Sequence, residues 1–481
     1  MDGVIGPYST ATDLLAALDA GEVGSVELVD LQLDRIERLN PQLNAIAVPT
    51  PERAREAAKA ADEARSAGER GRLLGVPMTL KESTQVAGLP QSAGIRMFAD
   101  HRPDSDGPVA ARVFAAGACL LGTTNIPTAL GDWQADSPVY GRTNNPWDLE
   151  RTPGGSTGGG AAALAAGLTP LEIGSDIGGS IRVPAAYCGV YGHRPSETAV
   201  PRHGAFPRDE APNPAAMMGV QGPLARGVAD LELLLDLIAG PVVGEDVGWR
   251  LALPPARHDR LADFRVAVMP PLSLVEPSAA MRARVEELAQ FCSRAGATVA
   301  EAMPDVDHAA YYHDYIVLLE TIISQSEPRD ARDEAAREAR ERGDERLLPA
   351  AEGMTIDAAG FLALLRRREA ARAAWRSFFA DWDVLVCPAA LDAAFPHETA
   401  PWADRVLDVD GREVRYGDNI VYPMWAIFAG QPATAFPAGR DRAGLPLGVQ
   451  AIGPYLEDRT TLRFAQLLEG EWHGFEPPPG W

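Results

Sequence analysis

Arg151-Thr152-Pro153-Gly154-Gly155-Ser156-Thr157-Gly158-Gly159-Gly160, running into the alanine-rich stretch 161–166, is the densest signal in the chain. A second segment follows it closely: Gly174-Ser175-Asp176-Ile177-Gly178-Gly179-Ser180-Ile181-Arg182-Val183-Pro184. Glycines beside a serine let the backbone approach a substrate closely and adopt angles that other residues avoid. The successive N–H groups of Ile177, Gly178, Gly179 and Ser180 can converge into an anion-binding nest, which an acyl-transfer oxyanion requires. No Gly-Lys-Ser/Thr closes either segment, which argues against a phosphate loop. Gly154-Gly155-Ser156-Thr157-Gly158 formally fits a nucleophile elbow, but that motif needs a strand directly before it, and residues 144–153 are turn-like. Glycine-rich turns that merely pack a helix on a sheet explain one such segment. Two, each presenting a serine, favour chemistry.

Lysine is scarce: Lys59 and Lys81 are the only two in the chain, and arginine supplies the remaining positive charge. Lys59 sits in a solvated Ala/Glu/Arg helix. Lys81 ends a strand-like apolar stretch, Gly75-Val76-Pro77-Met78-Thr79-Leu80-Lys81. Arginine keeps its proton at any biological pH, whereas a desolvated lysine loses it. A lysine retained at position 81 points to a task that needs deprotonation, with a snorkelling or ion-paired lysine as the alternative.

The chain has 481 residues, is 46% hydrophobic and carries a formal net charge of −23. Such a surface repels nucleic acid and anionic membranes. The start, Met1-Asp2-Gly3-Val4, lacks the basic residues and apolar run of a secretory signal, and no apolar run reaches spanning length. Cys119, Cys188, Cys292 and Cys387 are singly scattered among apolar neighbours and read as buried thiols. These features predict a cytoplasmic protein. None of the eight histidines falls in a metal-ligand pattern, so neither metal nor other cofactor is expected, and His193 reads as a core residue.

The element pattern predicts an α/β fold, a large mixed sheet flanked by many helices. One or two amphipathic helices are expected over 10–39, with Ser25 as N-cap and Asn40-Pro41 as stop, and another over 51–68. Residues 264–302 read as a βαβ unit, 326–346 as a solvated helical insertion, and 383–387, 433–436 and 447–452 as strands before a closing helix at 459–468. Residues 241–262 are proline-rich, yet strands on both sides favour a single domain over 1–481. Within it the expected parts are N-terminal helices (1–70), a catalytic region (72–245), a helical insertion (320–381) and C-terminal core strands with a helix (420–470).

With these residues in view, the chain resembles the amidase signature family, which includes fatty acid amide hydrolase, peptide amidases and glutamine-dependent amidotransferase subunits. The likeness runs from about 70 to 240 and includes Thr124-Asn125-Ile126-Pro127, Tyr140-Gly141-Arg142-Thr143-Asn144-Asn145-Pro146-Trp147 and Gly222-Pro223-Leu224-Ala225-Arg226. It resumes at Ala429-Gly430-Gln431-Pro432-Ala433 and Gly444-Leu445-Pro446-Leu447-Gly448-Val449-Gln450. The resemblance implies that fold, and a Ser–Ser–Lys triad: Ser180 as nucleophile, Ser156 as bridging serine after a cis peptide from Gly155, and Lys81 as base. Thr157, usually a second serine, and Gly192-His193-Arg194-Pro195-Ser196 depart from the family pattern without touching the triad. Asp176 and Arg182 are expected to pair and brace the nucleophile turn.

The resemblance also places Leu130, Gly131 and Asp132 against the substrate. Residues 205–218, with Met217 and Met218, read as a lid over an apolar cleft, and Tyr422, Met424, Trp425 and Phe428 as further lining or simple core. A roomy aromatic pocket suits aryl amides, anilides or carbamates. A urethane (carbamate) hydrolase is one alternative, and a component of a tRNA-dependent amidotransferase complex is another. The expected partner is a small molecule, neither nucleic acid nor membrane, acted on by a monomer or homodimer.

Overall fold

The strands are written in the sequence as short runs whose alternate residues are apolar on both faces. In the strand Val384–Pro388, Val384 and Val386 join one core cluster while Leu385 and Cys387 join another on the opposite side. Both faces are buried, which is what a sheet sandwiched between helices requires. The computed structural model describes residues 5–208 and 217–481. Among these, eleven strands form one mixed sheet, flanked by fourteen α-helices. In spatial order the first six strands are Ile46–Pro49, Cys119–Thr124, Pro77–Lys81, Leu171–Asp176, Val220–Ala225 and Tyr191–Arg194. Ala433–Arg440, Pro446–Ile452, Val384–Pro388, Arg265–Val268 and Thr298–Glu301 complete it. Strands from both sides of the proline-rich segment 241–262 thus enter one sheet.

One pairing positions the site. Pro77–Lys81 and Leu171–Asp176 are parallel neighbours, with Thr79 opposite Glu172 and Leu80 opposite Ile173. Parallel strands end on the same edge, so Lys81 and the start of the Asp176–Ser180 turn arrive together. That edge is where open α/β sheets bind ligands.

The glycine-rich segment after Ser156 becomes the helix Gly158–Ala165, every residue of which is buried. Its lack of side chains is a packing demand. A Cβ on Gly159 would run into the backbone of Asn125 and Ala45, and one on Gly160 into the Glu172 side chain.

The N-terminal helices are Ala11–Ala20 and Ser25–Leu43, and the second differs from expectation at both ends. Its N-cap is Gly24, not Ser25, and the first amides are capped from elsewhere: Ser25 and Val26 N–H donate to Asp62 at 2.7 and 3.1 Å. Pro41 does not stop the helix, which runs past it to Leu43. The chain leaves the helix at Asn44, in the left-handed region at φ 51°. The charged insertion forms the helix Arg329–Glu341, on which Ala336 alone is buried. All four cysteines are free and buried. Among the described residues no single helix is long and apolar enough to cross a membrane.

The 24-residue helix Ala358–Asp381 is held by Trp375, which is fully buried, stacks on Phe379 at 5.3 Å and donates from Nε1 to the Tyr311 hydroxyl at 3.1 Å. Trp375→Ala is expected to cost about 3–5 kcal/mol through the cavity it leaves, read as a lowered midpoint in urea unfolding.

Candidate functional site

Lys81 Nζ lies 2.7 Å from Ser156 Oγ and 3.0 Å from Ser175 Oγ. The side chain is wholly buried, and burial pushes its amine down to about 7 against the opposing influence of Asp176 and Glu172. Ser156 follows a cis peptide from Gly155, where a side chain would collide with the carbonyl oxygens of Asp132 and Gln134. The Thr157 N–H donates to the Ser180 carbonyl oxygen at 3.2 Å, tying the two serine segments together. Exposure rises along the series, from 0% for Lys81 through 1% for Ser156 to 6% for Ser180. Ser175, Ile177 and Gly178 are half-buried, so the series runs from the interior outward.

The turn from Asp176 to Ser180 is shaped from outside. Arg182 grips the Asp176 carboxylate with Nε and Nη2, both at 3.0 Å, and continues to the Pro423 carbonyl and Gln450 Oε1. The same carboxylate accepts the N–H groups of Gly179 at 3.0 Å and Ile181 at 3.2 Å. Burial alone would raise the Asp176 carboxyl; Arg182, with Arg194 behind it, reverses this and holds it at about 2. Four carbonyls of the turn are held by partners: Asp176 O accepts from Arg194 (2.7 Å), Ile177 O from the Tyr315 hydroxyl (3.0 Å), Gly178 O from Trp133 Nε1 (2.9 Å) and Gly179 O from Val183 N (2.7 Å). Because C=O and N–H are antiparallel in a planar trans peptide, this turns the amides of Ile177, Gly178 and Ser180 the other way, where they meet no acceptor among the described residues. Gly179 departs from expectation, since its amide is committed to Asp176.

The remaining sequence expectations divide. Leu130 and Asp132 are half-buried and Gly131 is exposed, on a loop that holds both Ala129 (φ 53°) and Leu130 (φ 59°) in the left-handed region. Such strain in non-glycine residues concentrates at functional sites. Asp132 does not offer a free carboxylate: it accepts from the Tyr416 hydroxyl and from Arg405 Nη1 at 2.7 Å. Of the lid expected over 205–218, residues 209–216 lie outside the described residues. Met217 is half-buried, whereas Met218 is a core residue whose N–H donates to Glu197 Oε2 at 2.9 Å and whose carbonyl accepts from Arg194 at 2.7 Å. Tyr422, Met424, Trp425 and Phe428 are likewise core, Trp425 stacking on Tyr311 at 4.6 Å. His193 is buried between Thr434 and Asp458.

Sequence reasoning missed Ser175, Glu172, Arg194, Trp133 and Tyr315. Ser175 stands beside Asp176 in the motif itself, so strand register was the only missing fact. Glu172, held by the Thr79 and Thr124 hydroxyls, is a sealed carboxyl that burial raises to about 8. Tyr315 comes from the helix His308–Ile323, far along the chain, and no local signal marks it.

The match with known proteins follows this geometry. The family model described as Amidase matches residues 27–462. The chain is 32% identical over 458 residues to the indoleacetamide hydrolase of Bradyrhizobium diazoefficiens, covering 93% of this chain and 84% of that one. It is also 32% identical to the A-type component of glutamyl-tRNA(Gln) amidotransferase from Halorhodospira halophila, covering 97% and 99%. Native peptide amidase from Stenotrophomonas maltophilia superposes with a TM-score of 0.76 at 26% identity, covering 98% of each chain. A large mixed sheet ending in this serine–lysine cluster defines an amidase signature fold. The chain belongs to the amidase family and is a hydrolase acting on amides.

The Asp176 carboxylate sets a test of the scaffold. Its folded-state value of about 2 lies below the ordinary 3.8, so it contributes stability that is complete above about pH 4 and is lost as pH falls toward 2. Asp176→Asn leaves the buried Arg182 guanidinium without its ion-pair partner and should cost about 3–5 kcal/mol. In thermal melts from pH 7 down to pH 2, the difference between wild type and variant should be largest at neutral pH and shrink below pH 4.

Proposed function

We propose that the protein hydrolyses small amides through a seryl acyl-enzyme formed on Ser180. The observation that carries this is the buried 2.7 Å contact between Lys81 and Ser156, with Ser180 tied to the same segment. A serine hydroxyl attacks only when its proton is taken. Lys81, neutral in part because of burial, accepts the Ser156 proton while Ser156 accepts that of Ser180. Ser180 Oγ bonds to the acyl carbon, and the charge that develops on the acyl oxygen meets the amides of Ile177, Gly178 and Ser180. Ser156 returns a proton to the leaving nitrogen as the C–N bond breaks. Water then takes the amine's place, gives its proton back through the same relay, and releases the acid.

For the substrate, the aromatic group beside the nest supports aryl amides or anilides. Trp133 packs 5.4 Å from Tyr416 and 6.5 Å from Trp402, and Trp402 is 41% exposed. An exposed ring backed by two buried ones favours flat apolar groups. Carbamates pass through the same tetrahedral intermediate and form the second reading. The likeness to a glutamyl-tRNA(Gln) amidotransferase component supports a third, action on glutamine within a complex. Against it, Asp132 and Arg405 are spent on one another, leaving neither to meet an amino acid's charges. Action as a monomer or homodimer in the cytoplasm fits the four buried free thiols and the acidic surface.

The deciding experiment incubates the purified chain with aryl amides, anilides, carbamates, esters and glutamine, with products read by mass spectrometry. Turnover of glutamine alone would overturn the aryl-amide reading. Ser180→Ala should abolish hydrolysis with little change in thermal midpoint; a substantial residual rate removes the nucleophile assignment. Activity should rise with pH through about 7 as Lys81 loses its proton. Lys81→Arg should be as inactive as Lys81→Ala at every pH, since guanidinium keeps its proton. A retained tenth of wild-type kcat would equal only about 1.4 kcal/mol and mean positioning, not proton transfer.

A further inference from the structure

Tyr315 is fully buried, and its hydroxyl donates to the Ile177 carbonyl oxygen at 3.0 Å. Burial keeps the phenol well above its ordinary range, so it stays a donor at every working pH. The peptide it grips is the one whose other end is the Gly178 N–H. Neighbouring peptides of the turn have their own anchors: Arg194 on Asp176 O, and Val183 N on Gly179 O. Trp133 anchors Gly178 O, but the N–H of that peptide belongs to Gly179 and is taken by Asp176. Among the described residues the Ile177–Gly178 peptide has no hydrogen bond within the turn from either end. Glycine at 178 adds no side chain to resist rotation, and an added Cβ there would meet Ile420 Cδ1 only at 3.5 Å. Like the Asp176–Ile177 peptide, which Arg194 holds, this link is fixed only from outside the turn, here by one phenol from a distant helix.

We propose that Tyr315 is a positioning residue for the reaction, orienting the Ile177–Gly178 peptide so that the Gly178 N–H faces the developing oxyanion. It does not touch the substrate. It acts through the planarity of one peptide bond, in which a carbonyl held outward obliges the adjoining N–H to point inward. The role rests on the reading of this nest as the oxyanion site, so the two are tested side by side.

Tyr315→Phe removes the hydroxyl and keeps the ring. The expected result is a kcat lower by on the order of 10- to 100-fold, less than or near the loss of a whole oxyanion donor, with KM changed less than about twofold. Phenylboronic acid, which forms a tetrahedral adduct with an activated serine, should lose affinity by a factor that tracks kcat, while binding of the product acid is unchanged. Replacing Tyr315 by 4-aminophenylalanine, which restores an N–H donor on the ring, should recover most of the rate. A Tyr315→Phe enzyme with wild-type kcat, or one in which KM and product binding change as much as kcat, overturns the role. If the phenylalanine variant unfolds, the 4-aminophenylalanine protein still decides: a kcat and boronate affinity no better than one-tenth of wild type at full thermal stability also overturns it. Ser180→Ala in the same series separates the two failures. An inactive Ser180→Ala with an unaffected Tyr315→Phe rejects Tyr315 alone, and an active Ser180→Ala rejects the reading beneath it.

Discussion

A buried carboxylate organises this molecule. Asp176 accepts two hydrogen bonds from Arg182 and two backbone N–H groups from its own turn, and lies 3.6 Å from Arg194. A charge without solvent must be fully paired or it destabilises the fold. Here the pairing is also the architecture. Arg182 carries the constraint to Pro423 and Gln450, and Arg194 carries it to Met218. Three remote segments are therefore referred to one turn, and the turn's geometry is as stiff as the core around it.

The electrostatics of the neighbouring compartment have the opposite character. Burial drives Lys81 and Glu172 each toward its neutral form. Asp176 keeps its charge because guanidinium groups face it; Lys81 is pushed toward giving its charge up because burial outweighs the two carboxylates near it. Two ionisable groups a few residues apart in space thus take different states, and the difference follows from which side chains face them.

Much of this was legible in the sequence. Scarce lysine singled out Lys81, the two glycine-rich segments singled out Ser156 and Ser180, and the short apolar runs gave a mixed sheet. What escaped was whatever depends on tertiary register. Ser175 needed the pairing of Leu171–Asp176 with Pro77–Lys81, and Tyr315 needed a helix packed 138 residues away from the carbonyl it meets. The N-cap expected at Ser25 failed for a related reason, since Asp62 supplies the cap from another helix. Tyr422, Met424 and Phe428 were ambiguous because an apolar run reads alike in a cleft wall and in a core. Gly179 was miscast because a glycine in a nest motif does not reveal that its amide already has a partner.

The small hairpin Val406–Val409 with Arg412–Arg415 pairs only with itself and stands apart from the eleven-stranded sheet. Its flanks bring Trp402, Arg405 and Tyr416 to the Asp132–Trp133 loop through an ion pair, a phenolic hydrogen bond and ring contacts. None of these contacts passes through Asp176 or Lys81. The hairpin is nonetheless part of the core: Leu407, Val409, Val414 and Tyr416 are buried in the cluster that holds Trp133, and Trp133 donates to the Gly178 carbonyl oxygen, so a change between residues 402 and 416 is felt at the nucleophile turn through one indole.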